Sequence, residues 1–159
     1  MQKKMIAFIG VIVILFVALY FVVSAKNNRA VEGNPYGKDD LEQSTIDLLD
    51  NPLYQHIITP NKLEEKLDKK EDITVYFFSP ECSYCMETTP ILFPLADSMD
   101  VDIQQLNLLE YPDEASKFKI EGTPTLIHFK DGQETDRLVG LQEEEDFKTF
   151  LSEEVLDKK

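Results

Sequence analysis

Cysteine and histidine are scarce in this chain: Cys82 and Cys85 are its only thiols, and His56 and His128 its only imidazoles, among 159 residues. A zinc centre needs about four ligands at characteristic spacings, and neither histidine stands at such a spacing from the cysteine pair, so a metal site is disfavoured. A purely structural disulfide is a poor fit as well, because so short a loop removes little unfolded-state entropy. Acidic residues are missing altogether before Glu32, and basic ones are scarce after it. From Glu32 onward there are 30 acidic and 12 basic side chains, a net charge of −18. Such a surface repels phosphate backbones, which disfavours nucleic acid as a partner; its ordinary meaning is solubility. The length admits one domain with an attached segment and not two full domains.

What is present centres on Cys82-Ser83-Tyr84-Cys85. The pair directly follows the strand-like run Ile73-Thr74-Val75-Tyr76-Phe77-Phe78 and directly precedes a long helical stretch. A strand feeding a helix in this way puts the first sulfur at the helix N-terminus, where unpaired backbone N–H groups and the positive end of the dipole favour an anion. A thiolate is the species that attacks a disulfide, and a second thiol within reach can resolve the product. Cys82 is therefore the expected nucleophile and Cys85 the resolver. Exchange between thiols and disulfides needs no cofactor.

Residues Met5 to Val23 form nineteen positions without a charge. As a helix they would cover roughly 28 Å, close to a bilayer core. Lys3 and Lys4 precede the run and favour a cytoplasmic N-terminus, with Lys26 and Arg29 on the far side weakening the contrast. The expectation is a single N-terminal transmembrane helix within residues 1–25. A cleaved signal peptide is the alternative, since Val23-Ser24-Ala25 resembles a small-residue cleavage site, although the run exceeds the usual signal core of about 7–15 residues. Either way the remainder is exported, to a place where disulfides form and persist, and protein thiols and disulfides become the expected substrates. Residues 26–54 read as a tether. Its turn formers are Asn27-Asn28, Gly33-Asn34-Pro35 and Gly37, and a short helix begins after Asp39-Asp40 and ends at Asn51-Pro52, either packing on the domain or extending the tether.

The globular domain is expected over 55–159. His56-Ile57-Ile58 reads as a short first strand, and Thr59-Pro60 opens a helix striped by Leu63 and Leu67. The run 73–78 is β-branched and aromatic on both faces, the pattern of a buried central strand. Ile91, Leu92, Leu95, Ala96 and Met99 give the helix after the cysteines one buried side, and Pro90 should kink it. Val101-Asp102-Ile103 and Leu106-Asn107-Leu108 read as another strand with a one-residue phase slip. Pro112 to Phe118 is a short helix. Asp131-Gly132 between two extended runs signals a hairpin closed by Gly140, and Phe147, Phe150, Leu151 and Val155 stripe a last helix with an acidic start. His56 and His128 read as structural or solvated side chains.

This order resembles the thioredoxin superfamily over about residues 55–156. The residues that carry the resemblance are Cys82 and Cys85, Pro90 five positions beyond the second cysteine, and Gly122-Thr123-Pro124-Thr125 leading into the hairpin. The resemblance implies a thioredoxin fold, α/β with a central mixed sheet flanked by helices. It also implies a cis peptide at Thr123-Pro124 beside the dithiol, with the Thr123 backbone pairing with an incoming substrate chain. In thioredoxins proper a buried acid lies six positions before the first cysteine and a tryptophan just before it; here those positions are Tyr76 and Glu81. With the apolar N-terminus, the chain resembles instead the membrane-anchored, extracytoplasmic bacterial thioredoxin-like oxidoreductases, which implies a membrane redox partner.

Two functions follow. One is thiol–disulfide exchange with exported proteins from the outer face of the cell membrane. The other is a non-catalytic binding module that holds a cell-envelope partner on the Thr123-Pro124 surface. The direction of electron flow stays open. Glu81 and Glu87 beside the dithiol disfavour the thiolate and push towards a reducing couple, while Thr123 and the lack of an acid at Tyr76 fit other branches of the superfamily.

Overall fold

The computed structural model describes the backbone of residues 2–156 and, within the first helix, the side chains of residues 9–24. The chain divides into two units, Met1–Asp40 and Leu41–Lys159. The first unit holds helix α1 (Gln2–Val31), which contains the apolar run. The helix expected there is present. Among the described residues no helix is long and apolar enough to cross a membrane. After α1 the chain turns at Asn34, whose Oδ1 accepts from the N–H groups of Tyr36 (2.9 Å) and Gly37 (3.1 Å).

The second unit is built around strand β1 (Ile73–Phe78), all six of whose residues are buried. Period-two alternation sends its side chains into two cores. Tyr76 and Phe78 pack with Leu92, Phe93, Phe147 and Leu151 on one face. Val75 and Phe77 pack with Leu63, Leu106, Ile127 and Phe129 on the other. The four-stranded sheet has the order β2-β1-β3-β4, where β2 is Ile103–Asn107, β3 is Thr125–Lys130 and β4 is Gln133–Val139. β2 runs parallel to β1, β3 antiparallel to β1, and β4 antiparallel to β3. The expected mixed sheet is present. Helices α3 (Pro60–Asp68), α4 (Ser83–Ser98), α5 (Asp113–Lys117) and α6 (Glu144–Phe150) complete the unit, and α6 continues as a π-helical turn, Leu151–Leu156.

Two expectations need correction. The first strand at His56-Ile57-Ile58 is reduced to a single parallel bridge between Ile57 and Gln105. Pro60 opens α3 two residues later and has no N–H to continue the ladder. The phase slip in β2 is no irregularity of the strand, which is continuous. Gln105 and Asn107 sit fully buried where apolar residues would keep the period. They hold the chain before the sheet: Gln105 Nε2 donates to the Leu53 carbonyl (2.9 Å), and Asn107 Nδ2 to Thr45 Oγ1 (3.1 Å). The short helix, α2 (Gln43–Ile46), thus packs on the domain and does not extend the tether, and Leu41 and Thr45 are buried.

The hairpin turns as its Asp-Gly pair predicts, with positive φ at Asp131 (52°) and Gly132 (75°). A Cβ on Gly132 would lie 2.1 Å from the Leu67 carbonyl oxygen at the end of α3. Both the left-handed backbone and the close approach require glycine here. Gly132→Ala is expected to lower stability by about 3 kcal/mol, combining left-handed strain with displacement of packed backbone. A urea-unfolding midpoint measures the loss, and a change under about 0.5 kcal/mol would show that α3 yields freely.

Candidate active site

β1 ends at Phe78 and the chain passes through Ser79-Pro80-Glu81 into α4, for which Cys82 is the N-cap. Its backbone is extended (φ −89°, ψ 113°), and its sulfur accepts a hydrogen bond from the Cys85 N–H at 3.2 Å. The sulfur thus fills the place of a capping oxygen, the position where the helix terminus favours negative charge. Across from it, the Cys82 thiol donates to the Thr123 carbonyl at 3.3 Å. The Thr123-Pro124 peptide is cis. Its loop is fixed by Thr125 Oγ1 donating to the Gly122 carbonyl (2.7 Å) and by the Gly140 N–H donating to the Pro124 carbonyl (2.8 Å).

The two thiols differ in environment. Burial pushes the Cys82 thiol up, but hydrogen bonds with Cys85, Thr123 and the Cys85 and Tyr84 backbone outweigh it, and the net shift is downward. Cys85 is fully buried. Burial, together with its hydrogen bond to Cys82, pushes the Cys85 thiol up to about 12. Cys82 can ionise and be reached, while Cys85 stays protonated and shielded, the division that a nucleophile and a resolver require.

The remaining expected residues fall around this pair. Ser83 and Tyr84 are exposed between the cysteines, on the first turn of α4. Pro90 lies on the exposed side of α4, which continues unbroken through it. Pro94, which sequence reasoning passed over, also lies inside α4. Tyr76 is buried behind Cys85, with its hydroxyl donating to the Cys85 carbonyl at 3.3 Å and lying 3.4 Å from Thr89 Oγ1. Its phenol is held well above the ordinary range by burial. His56 is exposed, 3.4 Å from Asp102. His128 is buried, with Nδ1 3.0 Å from Thr74 Oγ1. Both histidines lie outside this constellation. Thr89 and Tyr54, also near Cys85, were missed because a threonine in mid-helix and a tyrosine beside Pro52 carry no spacing signal.

A nucleophile at a helix N-cap, a buried second thiol one turn on and a cis-proline loop against the first sulfur define a dithiol redox domain of the thioredoxin fold. The family model described as Thioredoxin matches residues 55–153, and the chain belongs to the thioredoxin family. It is 36% identical over 103 residues to a thioredoxin of Staphylococcus haemolyticus, covering 64% of this chain and 93% of the relative. To a thioredoxin of Chlamydia caviae it is 38% identical over 74 residues, 46% of this chain and 72% of the relative. A variant thioredoxin of Halobacterium salinarum superposes with a TM-score of 0.52 at 26% identity, over 58% of this chain and 82% of that one. These thioredoxins imply thiol–disulfide oxidoreductase activity in general.

Proposed function

We propose that this chain is a membrane-tethered thiol–disulfide oxidoreductase acting on exported proteins outside the cytoplasm of a bacterial cell. The observation that carries the chemistry is Cys82 at the N-cap of α4, its sulfur 3.3 Å from the Thr123 carbonyl and Cys85 buried behind it. The Cys82 thiolate attacks one sulfur of a substrate disulfide, forming a mixed disulfide and expelling the other substrate sulfur as a thiolate. Cys85 then attacks Cys82, the Cys82–Cys85 bond forms, and the second substrate sulfur leaves and takes up the proton. Two electrons pass from the dithiol to the substrate, and run in reverse the same steps oxidise a substrate dithiol. A partner must then restore the starting state, and a membrane redox protein suits a tethered domain. The tether rests on the nineteen uncharged residues 5–23 behind Lys3 and Lys4.

In bacterial cells expressing the chain, the protein is expected to stay with membranes through carbonate washing. A membrane-impermeant maleimide applied to intact cells should label Cys82. A soluble form beginning near Lys26 would replace the tether by a cleaved signal. Protection of Cys82 from the reagent would refute an extracytoplasmic site.

A further inference from the structure

The segments that frame Cys82 hold acids and no bases. Residues 71–116, which carry β1, both cysteines and α4, contain no lysine or arginine, and neither do residues 41–54. Glu81 directly precedes Cys82 and Glu87 follows Cys85 by two positions, and both are exposed. Among the described residues the ion pairs lie elsewhere, and no lysine or arginine pairs with either carboxylate. The charge beside the nucleophile is therefore uncompensated.

Glu81 is also held in place. Its N–H donates to Ser79 Oγ at 3.2 Å in the turn that leaves β1, and its Oε1 accepts from Ser44 Oγ at 3.3 Å. Ser44 belongs to α2, which is itself anchored: buried Thr45 accepts from Asn107 Nδ2, and the Glu42 N–H donates to Glu110 Oε1 at 3.0 Å. The family match begins at residue 55, so this support comes from a segment outside it. A hydroxyl is neutral, and Ser44 steadies the Glu81 carboxylate without cancelling its charge. Tyr84, between the cysteines, is 61% exposed, more than any other large apolar side chain of the second unit. The face of an aromatic ring attracts a cation, as a carboxylate does. Two groups of different chemistry, within three positions of each other around Cys82, thus suit the same kind of ligand.

We propose that Glu81, aided by the Tyr84 ring, is a specificity-determining residue that favours disulfides flanked by lysine or arginine in the substrate protein. This rests on the exchange reaction proposed above and adds which substrates that reaction takes. A basic flank is drawn towards Cys82 and an acidic one repelled, so the preference acts on the rate of encounter. Because both carboxylates are exposed, salt should screen it.

The test uses the full chain in non-ionic detergent and two dye-labelled peptide disulfides that differ only in the residues beside the cysteine, lysine in one and glutamate in the other. Each rate of mixed-disulfide formation is divided by that peptide's rate with dithiothreitol, which removes intrinsic reactivity. The wild type is expected to favour the lysine peptide about tenfold at low salt and less than about twofold in ~0.5 M salt. Glu81→Gln removes the charge and keeps an acceptor for Ser44, and its low-salt preference should fall to about threefold. Equal wild-type rates for the two peptides would overturn the inference. So would the same preference in Glu81→Gln as in the wild type, even with both rates shifted together through the Cys82 thiol. Those results leave the exchange reading standing, whereas a wild-type chain that forms no mixed disulfide with either peptide overturns both.

Discussion

The Cys85→Ser variant is expected to accumulate substrate proteins in covalent complexes at Cys82, visible as dithiothreitol-sensitive bands, while Cys82→Ser accumulates none. The reason is the asymmetry of the pair. Cys82 caps the helix with its thiol pulled below the usual range, whereas Cys85 is fully buried with its thiol pushed up to about 12. Only Cys82 can meet an incoming disulfide, and only Cys85 is placed to release the product. Serine at 85 preserves size but cannot attack, so nearly every encounter should stop at the mixed disulfide. The assay compares the two variants on non-reducing gels. Trapping by Cys82→Ser and not by Cys85→Ser would reverse the roles, and trapping by neither would favour a binding module.

Tyr76→Asp should have opposing effects on stability and rate. Tyr76 is 1% exposed, stacked on Phe78 at 5.8 Å and edge-on to Phe93 at 5.7 Å. Replacing that ring by a short buried carboxyl leaves a cavity and an expensive polar group, a loss of about 3–5 kcal/mol by comparison with large-to-small aromatic changes. The same carboxyl would stand beside Cys85, where Tyr76 now bonds to its carbonyl at 3.3 Å. Burial would raise the pKa of the new acid, making its carboxylate a base strong enough to take the Cys85 proton. A positioned base typically contributes ~100-fold or more, so resolution of the mixed disulfide should accelerate towards that range. Urea unfolding and rapid-quench kinetics read the two effects. A folded variant that resolves no faster would show that position 76 does not stand where the family places its acid.

The elements legible in the sequence were those with strong local chemistry. The buried strand 73–78, the Cys82 cap and the Asp131-Gly132 turn each follow from short-range pattern, and each lies where the pattern puts it. Long-range polar contacts were not legible. Gln105 and Asn107 look in sequence like a break in the strand's periodicity, because nothing local shows that their amides are satisfied by Leu53 and Thr45 more than fifty residues away. For the same reason α2 could be read as tether or as domain. At His56-Ile57-Ile58 the apolar content fits a strand, but Pro60, which has no N–H to donate, limits the pairing to one bridge.

The contacts that Gln105 makes also decide how the sheet meets other molecules. An open sheet ends in strands with unpaired backbone groups, which invite pairing with another chain. Here the β2 margin is covered by the residues around the Ile57 bridge, held by the Gln105 amide and backbone. The β4 margin is guarded by charge, with Glu134, Asp136 and Arg137 along it, and the Arg137 guanidinium ties β4 to the carbonyls of Phe118 and Lys119. One border is therefore covered by chain and the other lined by charge. Such borders resist strand-to-strand aggregation.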